Sequence, residues 1–429
     1  MMYRDHLKIS DMKSEKMRNY DAASVIADAE RDAAYVFEKL DKICEFNSYK
    51  VINAFRECGV SERHFSSTTG YGYSDQGREM LAKLFSCIFK TEDAIVSPHF
   101  ASGTHTLTVG LFGLLRPGDK MLSATGLPYD TIRSVIGIEG DADGSLKDYG
   151  IGFLRTDLTD AGKIDIPRVM DALEKDDTVK VLYLQRSRGY EIRPSISVSE
   201  MEELFSEVKA SFPDICIVVD NCYGEFTEER EPSEVGADII MGSLIKNPGA
   251  GLAPSGGYIA GRKKYVDRIA GRFTSPGIGT EIGSYNGSYL PFYQGIYLAP
   301  HIVREALKGA VLASGAMEKA GFGVFPKYDA DRTDITQAII FDTEEELTAF
   351  VRAVQKASPI DSSVVPYAWD MPGYADKVIM AAGTFIQGAS IELSADGPIR
   401  PPYTAYMQGG MIYENVKLAV RFALEDLAG

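Results

Sequence analysis

Cysteine is scarce and unpaired in this chain, with five in 429 residues (Cys44, Cys58, Cys87, Cys216 and Cys222) and no CxxC pair. An odd, scattered set argues against a disulfide framework and for reduced, mostly buried thiols in a cytoplasm. The five histidines include no pair at helical ligand spacing and no HExxH, so no metal site is expected. Positive charge is short as well: 45 Lys and Arg stand against 61 Asp and Glu, a net charge of −16. That sign repels phosphate backbones and excludes non-specific nucleic-acid binding. No window approaches the ~18 apolar residues of a membrane helix. The opening MMYRDHLKISDMKSEKMRNYD lacks the apolar stretch of a signal peptide. A soluble, cytoplasmic protein is expected.

Phosphate-binding signatures of the common kinds are also missing. Around Lys246 the chain has Lys-Asn-Pro where a P-loop needs Gly-Lys-Ser/Thr, and Pro254 stands where a dinucleotide fingerprint needs its third glycine. There is no internal repeat and no low-complexity tract.

What is there reads as two lobes behind a helical arm. Apolar residues at helical spacing from about Tyr20 to Cys58 (Val25, Ile26, Ala29, Ala33, Val36, Leu40) predict an amphipathic arm within residues 1–60. Its partner is either its own domain or a second subunit. From 61 to 300 the runs DAIVSPHF, KMLSATG, TVKVLYLQ, ICIVVD, ADIIMGS and GGYIAG alternate with helical patterns. That alternation predicts a mostly parallel sheet covered on both faces, with ligands at the carboxyl ends of its strands. From 301 to 429 a helix from about Ile302, the runs GFGVFP, ITQAIIF and FIQGASIEL, and two further helices predict a smaller α+β domain.

Several strand ends carry polar groups. SPHFASGTH sets Ser102, Gly103 and Thr104 between a strand and a helix, where free amides and hydroxyls suit an anion; an ordinary helix cap fits the same residues. Asp220 closes ICIVVD, either as a partner for a cation or as a turn cap. Between Ile239 and Gly261 the only charged side chain is Lys246. Stripped of charged neighbours and partly desolvated, that amine is expected to have a lowered pKa, which favours attack on a carbonyl.

In this order, SGTH, Tyr129 in GLPYD, Asp220, then Ser243 and Lys246, the chain resembles fold-type I enzymes that use pyridoxal 5'-phosphate (PLP). It looks most like the cystathionine and methionine lyase branch, in particular the aluminium-resistance or methionine γ-lyase-like group, which the runs GYGYSDQGRE, NPGAGLAPSGGYIAG and IELSADGPIRPPY match. The resemblance covers nearly the whole chain and implies an α/β fold of the fold-type I, transferase-like kind.

By that resemblance Lys246 forms the Schiff base and removes the Cα proton, and Asp220 keeps the pyridine nitrogen protonated. Ser102, Gly103, Thr104 and Ser243 hold the phosphate, and Tyr129 stacks on the ring. Tyr71 or Tyr73 crosses a dimer interface to phosphate and substrate. The family's Tyr-x-Arg is here Tyr73-Ser74-Asp75, with Arg78 the nearest arginine. Arg400 is the candidate clamp for the substrate carboxylate; Arg188 is the second, for that clamp or for the cofactor's phenolic oxygen. Cys222 is expected near the cofactor. The implied reaction is β- or γ-elimination from a sulfur amino acid, giving a 2-oxo acid, ammonia and a thiol, in a homodimer or homotetramer. Transamination, a replacement synthase and a PLP-loaded scaffold without turnover are the alternatives.

Overall fold

The computed structural model describes residues 20–140, 143–371 and 376–428. The arm is one helix, α1 (Ala22–Cys58), capped by Asp21, whose carboxylate accepts the Ser24 amide at 2.9 Å, and stopped at Gly59 with φ 69°. Its apolar stripe packs on its own chain. Ala22 to Ala29 join the core of the small sheet, while Ala33 to Cys58 join that of the large one.

The large sheet has the strands β1 (Asp93–Ser97), β2 (Lys120–Ser123), β3 (Gly152–Arg155), β4 (Val179–Gln185), β5 (Cys216–Asp220), β6 (Ile239–Ser243) and β7 (Gly257–Gly261), in the order β1-β7-β6-β5-β4-β2-β3. All run parallel except β7, which is antiparallel to both neighbours. Helices α3 (Gly103–Leu114), α4 (Asp130–Ile136), α5 (Ile166–Lys175) and α6 (Val198–Ser211) connect successive strands, and α2 (Gln76–Ile88) and α7 (Lys263–Phe273) flank the set before β1 and after β7. Covered on both faces, β5 and β6 are buried at every position, which is why they read as unbroken apolar runs. Each then ends on a polar residue, and the parallel order brings those ends to one edge of the sheet.

Helix α8 (Leu290–Lys319) begins twelve residues before the expected Ile302 and contains Pro300, so the expected division at residue 300 falls inside it. Pro291 sits in its first turn, where a missing N–H costs nothing, and Phe292, Tyr293, Ile296 and Ala299 bury one face strongly enough to carry the helix through Pro300. The second sheet is antiparallel throughout, in the order β10-β11-β12-β9-β8: β8 (Gly323–Phe325), β9 (Thr336–Phe341), β10 (Val378–Ala381), β11 (Ser394–Pro398) and β12 (Tyr403–Gln408). Helices α9 (Glu344–Ala357) and α10 (Tyr413–Leu427) pack with it. FIQGASIEL is not a strand. The Glu392 carboxylate accepts the amides of Phe385 and Ile386 at 2.9 and 2.7 Å and folds the segment into a loop. The strand is instead the next stretch, SADGP, whose Asp, Gly and Pro resemble a turn. No described helix is long and apolar enough to cross a membrane.

Candidate active site

The carboxyl ends of β4, β5 and β6, the start of α3 and one face of the small sheet enclose a cavity of about 240 Å³. Lining it are Ser102, Gly103, Thr104, Tyr129, Asp220, Cys222, Ser243 and Lys246, together with Gln185, Tyr190, Tyr223, Thr336, Asp396, Tyr406 and Gln408. Eight residues expected at or near the site, from Ser102 to Lys246, therefore converge on one space.

One end of the cavity suits an anion. Ser102 caps α3 with its hydroxyl on the His105 amide at 3.1 Å, leaving the first-turn amides of Gly103 and Thr104 without intrahelical partners. A Cβ on Gly103 would lie 3.3 Å from the Ser243 Cβ, so helix start and strand end are in near contact. The Ser243 hydroxyl is buried with no hydrogen-bond partner among the described residues. The Thr104 hydroxyl meets that of Thr131 at 2.9 Å. An unpaired buried hydroxyl beside free helix-start amides fits a phosphate.

The other strand end carries Asp220, whose carboxylate accepts the Cys222 amide at 3.1 Å and the Tyr183 hydroxyl at 3.5 Å. Burial raises its pKa, while Lys246 works in the opposite direction. A protonated ring nitrogen is the kind of partner such a carboxylate lacks.

Lys246 Nζ lies 4.1 Å from the centroid of the Tyr223 ring. Tyr223 holds φ 68°, a left-handed conformation that costs a non-glycine residue roughly 1–2 kcal/mol. The expectation of a lowered lysine pKa is overturned. Burial, the largest influence, does oppose the charge, but Cys222, Tyr223, Asp220 and Glu225 together outweigh it and raise the pKa. Lys246 is isolated along the sequence and surrounded by acidic groups in space. Glu225, buried behind it, accepts the Tyr258 hydroxyl at 2.9 Å, and burial pushes its carboxyl up to about 8.

Tyr129 starts α4, and its amide donates to Gln185 Oε1 at 2.6 Å. Its ring stands edge-on to Tyr190, with centroids 6.1 Å apart. Gln185 ends β4 as Asp220 ends β5, and that place at a strand end is its one signal in the sequence.

The remaining candidates lie elsewhere. Arg188 is held in a buried ion pair with Asp334, Nη2 to Oδ1 at 3.2 Å, stacks over Phe325, and borders both a cavity of about 1160 Å³ and the depression that holds Arg400. Arg400 pairs with Asp376 at 2.6 Å on an adjoining depression of about 360 Å³, which shares Tyr129, Gln185, Gly189 and Tyr190 with the central cavity. Tyr71 and Tyr73 are 69% and 67% exposed, with ring centroids 5.5 Å apart, outside the cavity. Asp75 of the departing motif caps α2, and Arg78 donates to the carbonyls of Gly72 and Gly283, tying the loop down. Among the described residues Lys246 is the cavity's one cation.

Residues 22–428 match the methionine gamma-lyase family model. The protein YnbB of Bacillus subtilis (strain 168) is 50% identical over 401 residues, covering 93% of this chain and 95% of its own. A crystal structure from Clostridium acetobutylicum, of a candidate cystathionine beta-lyase involved in aluminum resistance, is 49% identical and superposes with a TM-score of 0.92, covering 94% of this chain and 95% of that one. A carbon-sulfur lyase involved in aluminum resistance from Clostridium novyi NT is 48% identical, with a TM-score of 0.91 over 94% of this chain and 95% of that one.

Proposed function

The chain belongs to the methionine gamma-lyase family and is a PLP-dependent lyase, and from that premise we propose that it eliminates a thiol from a sulfur amino acid, using Lys246 as its catalytic amine. The observation that carries this reading is the convergence of Lys246, Asp220 and the unpartnered Ser243 hydroxyl in one cavity of about 240 Å³.

Gly103, Thr104, Ser102 and Ser243 would hold the phosphate, Asp220 would pair with the ring nitrogen, and Tyr129 would contact the ring. When bound, the cofactor supplies the electron sink that makes the substrate Cα–H bond, and then the carbon–sulfur bond, breakable. Lys246 anchors the cofactor and moves the proton at the substrate Cα. Asp220 is one of the groups that raise the lysine pKa, and a cation placed on it would offset that influence. Tyr129 and Tyr190 stand edge-on at one wall and limit water there. The substrate carboxylate needs a cation other than Lys246. Arg400, across the wall formed by Tyr129 and Tyr190, is the candidate on the chain itself. Exposed Tyr71 and Tyr73 suit a role across a homodimer interface.

The test is a visible absorbance spectrum of the purified protein, followed by borohydride reduction, peptide mass mapping and assay of thiol and 2-oxo acid from cysteine and homocysteine thioethers. A pyridoxyl adduct on Lys246 with thiol release supports the reading. Conversion of the cofactor to its amine form without thiol release would make the protein an aminotransferase instead, and a stable adduct with no spectral response to amino acids would leave a scaffold.

A further inference from the structure

The cavity of about 1160 Å³ shares no lining residue with the one that holds Lys246. Three parts of the chain meet around it: α1, the start of α6, and the segment that joins β8 to β9. Its walls divide by character. Val36, Leu40 and Ile43, at i, i+4 and i+7 along one face of α1, form an apolar part with Val324 and Phe325 of β8. Arg332 forms a polar part with Ser197 and Ser199 at the start of α6, where the helix dipole is positive.

Arg332 is 7% exposed. Its Nη2 donates to Gln337 Oε1 at 2.6 Å, while Nε and Nη1 are buried with no hydrogen-bond partner among the described residues. The carboxylate that acts on it, Asp334, is already taken: its oxygens receive Arg188 Nε at 3.3 Å and Nη2 at 3.2 Å. Burial, and after it the Arg188 guanidinium, push the Arg332 pKa down to about 9 against the pull of Asp334. Two buried guanidinium groups thus share one carboxylate, and one positive charge is left over.

The acids on the cavity wall are engaged elsewhere or hydrated. Asp329 and Asp331 are exposed, Glu228 pairs with the buried Arg186, and Glu200 accepts the Ile164 amide at 2.6 Å. A buried cation without a counter-ion is destabilising, and an anion brought to it recovers the loss. One surplus charge suits a monoanion, and a carboxylate matches the guanidinium in shape. The apolar stripe of α1 beside it suits a ligand with a hydrocarbon body.

We propose that this second cavity binds an organic monocarboxylate, its carboxylate toward Arg332 and its apolar body along α1 and Phe325. The proposal goes beyond the lyase reading and does not depend on it.

Hexanoate, the neutral hexanamide and inorganic phosphate test it, each titrated calorimetrically at neutral pH into PLP-loaded wild type, Arg332→Met and Ser199→Trp. Wild type should bind hexanoate about tenfold or more tightly than hexanamide, and phosphate more weakly than hexanoate. Arg332→Met should bring hexanoate down to the level of hexanamide. Because methionine there replaces a cation that lacks a counter-ion, the variant should keep its fold and the visible band of its bound PLP. Ser199→Trp, which sets a ring into the cavity from the exposed start of α6, should weaken both organic ligands. No detectable hexanoate binding in wild type, equal affinities for hexanoate and hexanamide, or unchanged hexanoate affinity in Arg332→Met overturns the site. Unchanged hexanoate affinity in Ser199→Trp also overturns it, so the question is decided even if Arg332→Met fails to fold. Phosphate bound as tightly as hexanoate overturns the assignment to a monocarboxylate.

Discussion

Gln185 and Asp220 are Cα partners at the carboxyl ends of β4 and β5, so adjacent strands present an amide and a carboxylate side by side. The amide oxygen holds the Tyr129 backbone at 2.6 Å, while the carboxylate faces the cavity. Gln185→Leu should therefore remove the hydrogen bond that holds the Tyr129 amide, at a stability cost of about 1–3 kcal/mol. Cofactor affinity should weaken because Tyr129 loses its anchor. Fluorescence titration with PLP alongside urea unfolding measures both, and unchanged PLP affinity would detach Tyr129 from the cofactor site.

Lys246→Ala should lower turnover by about a thousandfold or more, since both the anchor and the proton carrier are lost. Mass mapping after borohydride treatment should find no pyridoxyl group on the peptide spanning residue 246. An adduct on another lysine would move the catalytic assignment.

Gly103→Ala tests the anion cradle. Alanine suits the start of a helix, and the new Cβ meets Ser243 Cβ at 3.3 Å, a tight contact that a small shift accommodates. Unfolding free energy should change by less than about 1 kcal/mol, while PLP affinity falls because the added methyl occupies the approach to the helix-start amides. Unchanged affinity would place the phosphate elsewhere.

Glu225 sets a pH dependence. Burial, its leading influence, raises its carboxyl from 4.5 to about 8, so between those values the native state holds a proton that the unfolded chain has released. Stability then falls as pH rises through that window, by up to about 1.4 kcal/mol per unit for the cofactor-free protein, and levels off above about 8. Glu225→Gln, which imitates the protonated form, should flatten this slope. Urea unfolding at several pH values between 5 and 8 gives the answer, and parallel slopes for the two proteins would assign the pH dependence to other groups.

The Arg188–Asp334 pair gives a test by double mutation. Asp334 Oδ1 also accepts the Thr336 amide at 3.1 Å. Arg188→Met or Asp334→Asn alone should cost about 3–5 kcal/mol, because each strands a buried partner. The double variant should cost less than the sum of the two. Arg188→Met should leave the KM of the folded enzyme close to wild type; a selective rise in KM would return Arg188 to the substrate.

The polar residues at the strand ends were legible because each follows an unbroken apolar run, and β5 and β6 are buried throughout. Asp396 was hidden because SADGP has the composition of a turn. Only its pairing between β10 and β12 makes it a strand. FIQGASIEL was misleading for the converse reason, an apolar run that the Glu392 carboxylate holds as a loop.

By itself the sequence determined the mostly parallel sheet and the polar residues that follow its strands, Lys246 among them, because periodicity and strand-end chemistry are local properties of the chain. Tertiary structure decided which charges face one another. Arg188 is held by Asp334, 146 residues away, and Lys246, alone among its neighbours in sequence, meets Asp220 and Glu225 in space. Electrostatic energy depends on distance through the folded molecule and on burial, and neither can be read from separation along the chain.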